Sequence, residues 1–204
     1  DNKIALGFVI GLDYQNPWLN PFEEFQRFKT HPSIKPLLEN GERLSYGAKA
    51  LSEGGVQSIP KLSFPGGMLI GDSAGFLNVA KIKGSHTAMK SGILAAQALI
   101  KSLDLNDIEP KELVAYEKTL YNSWLYKELY TVRNIRPAFK KGLYAGLLYS
   151  AFDQYILRGK APWTFKHDYD HLQLKSANSF SPIKYNAPDN KITFDKASSV
   201  YLAG

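Results

Sequence analysis

The chain has 204 residues, of which 44% are hydrophobic and 22% charged, with no cysteine and a net charge of +6. This composition predicts a globular protein and excludes a disordered one. The lack of cysteine excludes disulfides, zinc–thiolate sites and cysteine-ligated iron–sulfur clusters within this chain. The positive charge favours an anionic partner or indicates a merely basic surface, since no long run of Lys and Arg occurs.

The first 65 residues predict a β-sheet with two short helices packed against it. Residues 4–14 are rich in β-branched and aromatic side chains and predict a strand. Asn20 followed by Pro21 predicts the start of a helix with phenylalanines at helical spacing. Residues 42–51 and 56–64 predict further extended segments. We also expect a piece of a longer protein, because the chain begins without Met or a signal peptide and already within a strand pattern.

The next part of the chain predicts a short strand, a glycine-rich loop and two long helices. The first helix is expected from about Ser85 to Leu103, and the second from about Pro110 until Arg136 and Pro137 end it. The first has an apolar face made of Met89, Ile93, Ala96, Ile100 and Leu103. The aromatic side chains of the second are expected to pack in the core: Tyr116, Tyr121, Trp124, Tyr126 and Tyr130. The predicted fold class is α+β, with a sheet and flanking helices followed by a mainly helical segment.

Residues 143–157 form a distinct amphipathic stretch. Leu143, Leu147 and Leu148 fall on one broad helical face, Asp153 lies opposite, and lysines and arginines flank both ends. The apolar run is shorter than the ~20 residues that span a bilayer. It predicts a helix lying in the headgroup region of a membrane, or alternatively a core helix of a soluble domain. Further on, "HDYDH" has the histidine spacing of some metal sites, but the loop-like context favours a solvated loop and no metal.

The loop after residue 70 has the features of a dinucleotide site. Gly71 permits close approach of a ligand, and Asp72 can accept hydrogen bonds from ribityl or ribose hydroxyls. The start of the next helix, from Gly84 to Thr87, supplies partial positive charge that suits the N1/O2 edge of a flavin. Asn78 is expected either to contact the ring or to hold the loop. The same turn also occurs without any cofactor, so the pattern alone leaves both interpretations open.

Four stretches closely resemble the family of electron transfer flavoprotein–ubiquinone oxidoreductases. They are FPGGMLIGDSAGFLNVAKIKGSHTAMKSGILAAQAL, GLDYQNPWLNPFEEFQRFKTHPSIKPLLENGERLSYGAKALSEGG, NSWLYKELYTVRNIRPAF and LRGKAPWTFKH, which together extend over most of the chain. The resemblance implies FAD, one [4Fe–4S] cluster and a ubiquinone site, with electrons passing from reduced electron transfer flavoprotein to the quinone. It also implies a peripheral, monotopic position on a bacterial cytoplasmic or mitochondrial inner membrane, with no nucleic acid as partner.

Carried over to this chain, the resemblance places Gly71, Asp72, Asn78, Gly84 and Thr87 around the flavin, although some members have Cys where this chain has Asp72. It implies that residues 1–65 belong to a quinone-binding domain and 66–110 to the FAD-binding domain. Residues 111–204 would form a helical membrane-associated segment and a polar tail that leads to the iron–sulfur module.

The sequence contains no visible nucleophile–base constellation, and an electron carrier needs none, so no catalytic residue is predicted. The FAD-phosphate motif and the cluster cysteines are missing from the sequence, so we expect this piece alone to be inactive. The alternatives are a related FAD-dependent reductase or hydroxylase that acts on a lipid-like substrate, and a membrane-peripheral binding module with no cofactor.

Overall fold

The computed structural model describes residues 3–103 and 112–203. These residues divide into two compact units, Asp1–Lys49 with Asp168–Gly204 and Ala50–His167. The two strands are β1 (Ser63–Phe64) and β2 (Gly67–Met68). The helices are α1 (Pro21–Lys29), α2 (Lys35–Leu38), α3 (Ser85–Ser102), α4 (Val114–Tyr121), α5 (Trp124–Thr131), α6 (Ile135–Ala138), α7 (Leu143–Ala151) and α8 (Lys196–Tyr201).

The predicted α+β fold is wrong, because the described residues are mostly helical and contain no real sheet. Helices of all kinds account for 46% of them and strands for 3%. The strands form a single antiparallel hairpin in which Ser63 pairs with Met68 and Phe64 with Gly67. Residues 4–14 and 42–51 have no regular secondary structure. Their β-branched and aromatic composition favours a strand only when a neighbouring strand completes the ladder, and the described part of the chain supplies none.

The first unit is organised around α1. Its start agrees with the prediction, since the Asn20 side chain accepts hydrogen bonds from the backbone N–H groups of Phe22 and Glu23, and Pro21 occupies the first turn. The C-terminal part of the chain packs on this helix. There the Tyr185 hydroxyl accepts from the Asn20 N–H at 3.0 Å and donates to Glu24 Oε1 at 2.9 Å.

A buried ammonium group lies at the end of α1. Lys29 Nζ donates to Gln26 Oε1 at 2.7 Å and to the Ile192 carbonyl at 3.1 Å. The Arg43 guanidinium stacks on the ring of Phe194, 3.8 Å from its centroid. Burial, reinforced by the nearby positive charge of Arg43, lowers the pKa of Lys29 to about 8.

The core of the second unit is formed where α3, α4 and α5 meet the hairpin. Tyr116, Leu120, Leu125 and Leu129 are buried from α4 and α5, and they cluster with Leu62 and with small residues of α3. The Tyr116 hydroxyl donates to the Leu69 carbonyl at 2.9 Å, which satisfies the one polar group of this buried ring. The core is therefore built by helices around a minimal hairpin.

The long helix predicted from residue 110 to 135 is instead a series of shorter ones. Its first two residues lie outside the described ones, α4 ends at Tyr121, and α5 begins at Trp124. Pro137, expected to end the helix, lies inside α6, in the first turn, where a missing N–H costs no hydrogen bond. The aromatic prediction was only partly right, because Tyr116 is buried while Tyr121, Trp124 and Tyr130 are exposed.

Candidate functional site

The glycine-rich loop is a tight turn packed on α3. Residues Gly71–Ala74 form a turn of 3₁₀-helix, and the Gly71 N–H donates to the Ser91 hydroxyl at 2.9 Å. Gly71 has a left-handed φ of 61°, and a Cβ there would lie 3.3 Å from the Cβ of Ala88. Both observations favour glycine, because other residues adopt this conformation with strain and a Cβ would need a small shift of Ala88. The side chain of Asp72 is partly exposed at the start of this turn.

Asn78 holds the loop that leads into α3. It forms a bridge with Lys83, in which the Asn78 N–H donates to the Lys83 carbonyl at 3.0 Å and the Lys83 N–H donates back at 3.2 Å. The fully buried Asn78 amide accepts from the Lys81 N–H and donates to Glu128 Oε1 at 2.7 Å. Of the two roles predicted for Asn78, the structure contains the loop-holding one.

The first turn of α3 is fixed by Thr87 and left uncapped. The Thr87 hydroxyl is buried and lies 2.6 Å from the Phe76 carbonyl and 2.8 Å from the Gly84 carbonyl, so its proton is used within the chain. Gly84 is the N-cap residue and has no side chain that accepts from the first N–H groups of the helix. Those N–H groups, with the helix dipole behind them, make this end of α3 attractive to negative charge.

These hydrogen bonds bring the five predicted residues into one corner. Phe76 links two of them, since its N–H donates to the Gly71 carbonyl at 3.3 Å and its own carbonyl accepts from Thr87. Gly84 directly follows the Asn78 bridge, and Asp72 lies beside Gly71. The corner therefore consists of a glycine-rich turn that packs against the N-terminal part of α3.

Sequence reasoning missed Glu128, a second acidic residue associated with this corner. A single oxygen, Oε1, accepts from Asn78 Nδ2 at 2.7 Å and Lys81 Nζ at 3.2 Å, and lies 2.9 Å from His86 Nε2. The His86 ring also stacks on Trp124, with the planes 9° apart. Partial burial acts to raise the pKa of Glu128, but the hydrogen bonds from His86, Asn78 and Lys81 outweigh it and lower the pKa.

The second candidate surface is α7 and the π-helical turn Phe152–Ile156 that continues it. The apolar side chains point outward, with Leu148 74% and Tyr155 84% exposed. The polar side points inward, since Asp153 is fully buried and Ser150 and Gln154 are partly buried. Helices of globular proteins normally have the opposite orientation, so the apolar face of α7 lacks cover within this unit. We call this face the α7 surface.

A buried arginine supports the segment that follows the α7 surface. The Arg133 guanidinium donates to the carbonyls of Gly159 and Ala161 at 3.0 and 2.6 Å and to the Thr164 hydroxyl at 2.9 Å. The indole N–H of Trp163 in turn donates to the Tyr149 hydroxyl at 2.8 Å. Arg133 thus ties the basic, aromatic end of this region to α5. No helix in the described ranges is long and apolar enough to cross a bilayer.

Similarity to known proteins identifies the family of this chain. The family description "ETF-QO, ubiquinone-binding" matches residues 1–51. The mitochondrial electron transfer flavoprotein-ubiquinone oxidoreductase of Sus scrofa is 57% identical over 208 residues, which cover 98% of this chain and 34% of that protein. The chain belongs to the electron transfer flavoprotein–ubiquinone oxidoreductase family.

Other members of the family show the same extent of similarity. The human protein of that name is 56% identical, again over 98% of this chain and 34% of its own length. A probable member from Schizosaccharomyces pombe is 52% identical over 98% of this chain and 32% of its own length. The chain thus spans about a third of the length of the curated relatives that it matches. Each of the three is described as mitochondrial.

Proposed function

We propose that this chain is part of an enzyme that passes electrons from reduced electron transfer flavoprotein through FAD and a [4Fe–4S] cluster to ubiquinone. The observation that carries the proposal is the 57% identity to a protein of that name over 98% of the chain. FAD accepts and releases electrons when bound. The chain has no cysteine, so the cluster would be held by residues of the full-length protein outside this sequence.

Residues 1–65 belong, in this proposal, to the quinone-binding domain. The support is the ubiquinone-binding family description, which matches residues 1–51. In the same proposal residues 66–110 belong to the FAD-binding domain and residues 111–204 to the membrane-associated segment and the tail that leads to the cluster.

The corner around Gly71 and Thr87 forms one wall of the FAD site in this proposal. Gly71 and Gly84 allow this wall to pack tightly, since a Cβ at these positions would lie 3.3 Å from Ala88 Cβ and 3.2 Å from Leu77 Cδ1, respectively. The uncapped first turn of α3 would supply N–H groups and partial positive charge to the negative edge of a bound flavin. Asp72 accepts from hydroxyl groups of the cofactor, while Asn78 and Thr87 hold the loop and the helix start in place through their buried hydrogen bonds.

The α7 surface contacts the membrane in this proposal. Every exposed charged side chain from residue 139 to 166 is cationic, because the single acid in this range, Asp153, is buried. The exposed cations are Lys140, Lys141, Arg158, Lys160 and Lys166. An exposed apolar face bordered by cations suits the headgroup region of a bilayer that contains anionic lipids. The protein would then lie on one face of a membrane, where it could reach the ubiquinone dissolved in the bilayer.

The activity test uses the full-length protein. We expect it to be yellow with a flavin absorbance spectrum, and to reduce a soluble ubiquinone analogue when reduced electron transfer flavoprotein is supplied. A full-length protein that binds flavin but accepts no electrons from reduced electron transfer flavoprotein would indicate a related reductase or hydroxylase. A protein that remains colourless after incubation with FAD would overturn the proposal and favour a binding module without cofactor.

The membrane test compares two substitutions of similarly exposed leucines. Leu148→Glu places a charge in the α7 surface, whereas Leu172→Glu places one in the other unit, where that leucine is 67% exposed. We expect Leu148→Glu to weaken binding to vesicles that contain anionic phospholipid by about tenfold, because a carboxylate must then enter the interface. Leu172→Glu should bind as the unsubstituted protein does. Equal binding by both variants at unchanged melting temperature would exclude the α7 surface as the contact.

A further inference from the structure

Three donors from one short stretch of chain converge on a single oxygen of Glu128. They are the Asn78 amide, the Lys81 ammonium and the His86 imidazole, at 2.7, 3.2 and 2.9 Å. Asn78 opens the loop, Lys81 lies within it, and His86 lies in the first turn of α3. One carboxylate on α5 therefore fixes both the loop and the helix start that follows it.

The loop held in this way has a strained backbone. Ile82 has a φ of 51° and an exposed side chain. A left-handed conformation is unfavourable for a β-branched residue and persists only where the surroundings impose it. The pairing of Asn78 with Lys83 closes this turn, and the Asn78 amide is buried, so loss of its partner would leave a buried donor unsatisfied. Glu128 is the group that satisfies it.

The charges of the cluster give Glu128 a second effect. Lys81 carries a permanent positive charge at neutral pH, and the Glu128 carboxylate lies 3.2 Å from it with 22% of its side chain exposed. Partly buried charges act over a longer distance than fully solvated ones because water screens them less. Glu128 therefore offsets the positive potential that Lys81 and the start of α3 produce in this corner.

We propose that Glu128 is a positioning residue of the flavin site, which holds the Asn78 loop in place and lowers the positive potential beside the cofactor. This inference rests on the proposed function, since it concerns the cofactor assigned there. Glu128 contacts the loop and the helix start and acts on the flavin through them. It is not itself a catalytic residue.

Glu117 provides a matched control. Its Oε1 also accepts three hydrogen bonds, from the N–H groups of Leu62 and Ser63 at 2.9 Å each and from the Ser63 hydroxyl at 3.1 Å. It lies on the neighbouring helix α4 and has a lowered pKa, in which these hydrogen bonds outweigh the opposing effect of burial. Glu117 anchors β1 through these three hydrogen bonds, which involve none of the five residues predicted to surround the flavin. Its substitution therefore measures the effect of losing a structural carboxylate.

The experiment measures the flavin reduction potential and FAD retention of full-length variants. Glu128→Gln removes the charge but keeps an acceptor oxygen for Asn78, so we expect a more positive potential with FAD retained. Lys81→Gln should move the potential in the negative direction, and the double variant should return toward the original value. Glu128→Ala should release FAD about tenfold faster, because the buried Asn78 amide loses its partner. Glu117→Gln should lower the melting temperature without changing the potential.

The outcomes separate this inference from the function on which it rests. If the unsubstituted protein binds no flavin, the proposed function fails. If flavin is bound and Asn78→Ala changes its retention, but Glu128→Gln and Lys81→Gln both leave the potential unchanged, Glu128 has no role in the site beyond holding the fold. A potential that shifts equally in Glu117→Gln and Glu128→Gln would also overturn the inference, because the effect would then follow general destabilisation.

Discussion

Two short helices of the same compact unit, α5 and α7, use their apolar side chains in opposite ways. The sequence of α5, WLYKELYT, contains Lys and Glu, yet it buries Leu125 and Leu129 completely or nearly so. The sequence of α7, LYAGLLYSA, contains no charge, yet the one residue that it buries is Gly146. The more apolar helix is the more exposed one, so hydrophobicity alone does not determine which helix enters the core.

The difference arises from what each helix presents to the body of the unit. On α5 two leucines at i and i+4 project into the cluster that Tyr116 and Leu120 line. On α7 the inward side carries Gly146, which lies against Phe139, and further along it carries the buried Asp153. A small residue and polar groups fix the orientation of α7 and leave its leucines outside. Sites of contact with a partner or membrane have this property.

The largest effect is expected where the two helices are truncated in the same way. Leu125→Ala should lower the free energy of unfolding by about 2–5 kcal/mol, because it removes a fully buried side chain and leaves a cavity. Leu148→Ala should change it by less than about 0.5 kcal/mol, as an exposed substitution does. Urea titration followed by circular dichroism measures both. Equal losses would mean that the α7 leucines are covered in the folded protein.

Adding a methyl group to a helical glycine makes a sharper test of the α7 orientation. A Cβ at Gly146 would lie 2.9 Å from the Cα of Phe139, with ring atoms closer still. Gly146→Ala should therefore cost about 1–3 kcal/mol through overpacking. Gly92 in α3 has nothing within 4 Å of such a Cβ, and Gly92→Ala should instead stabilise by about 0.5–1 kcal/mol. Thermal unfolding of the two variants should show shifts of opposite sign.

The smallest effect concerns a charged side chain that is buried, Lys29. Its pKa is lowered to about 8 from an ordinary value of 10.5. Between these two pH values the unfolded chain holds a proton that the folded chain has released, so the free energy of unfolding should rise with pH. Lys29→Met removes this group and should flatten that rise, with equal or slightly higher stability at pH 7. An unchanged slope between pH 8 and 10.5 would show that Lys29 titrates as a solvated lysine.

Local signals predicted α1 and α3 well and the sheet badly. The Asn20 cap and Pro21 identified α1, and the apolar periodicity placed α3 within one residue of its observed end. Both signals act within a few residues of each other. A strand needs a partner whose position no local pattern encodes, and residues 4–14 have none among the described residues. The break between α4 and α5 was missed because Asn122 and Ser123 are tolerated within helices.

The predicted site residues share one sequence motif, whereas Glu128 is distant from them in sequence. Gly71, Asp72, Asn78, Gly84 and Thr87 lie within 17 residues of one another, so a single motif contains them all. Glu128 lies 42 to 50 residues from its three donors, and nothing in its local sequence distinguishes it from a surface glutamate. The sequence likewise did not predict which side of α7 points inward, since periodicity defines two faces of a helix but not which face is covered.

The π-helical turn at the end of α7 alters the helical register at this end of the α7 surface. The N–H of Leu157 donates to the carbonyl of Phe152, five residues back, instead of four. Such a turn accommodates one extra residue without breaking the helix, and it rotates everything beyond it by about 100° relative to a regular helix. Tyr155 and Ile156 lie within this turn, and both side chains are exposed. Deletion of one residue within Phe152–Ile156 should restore a regular α-helix through this segment.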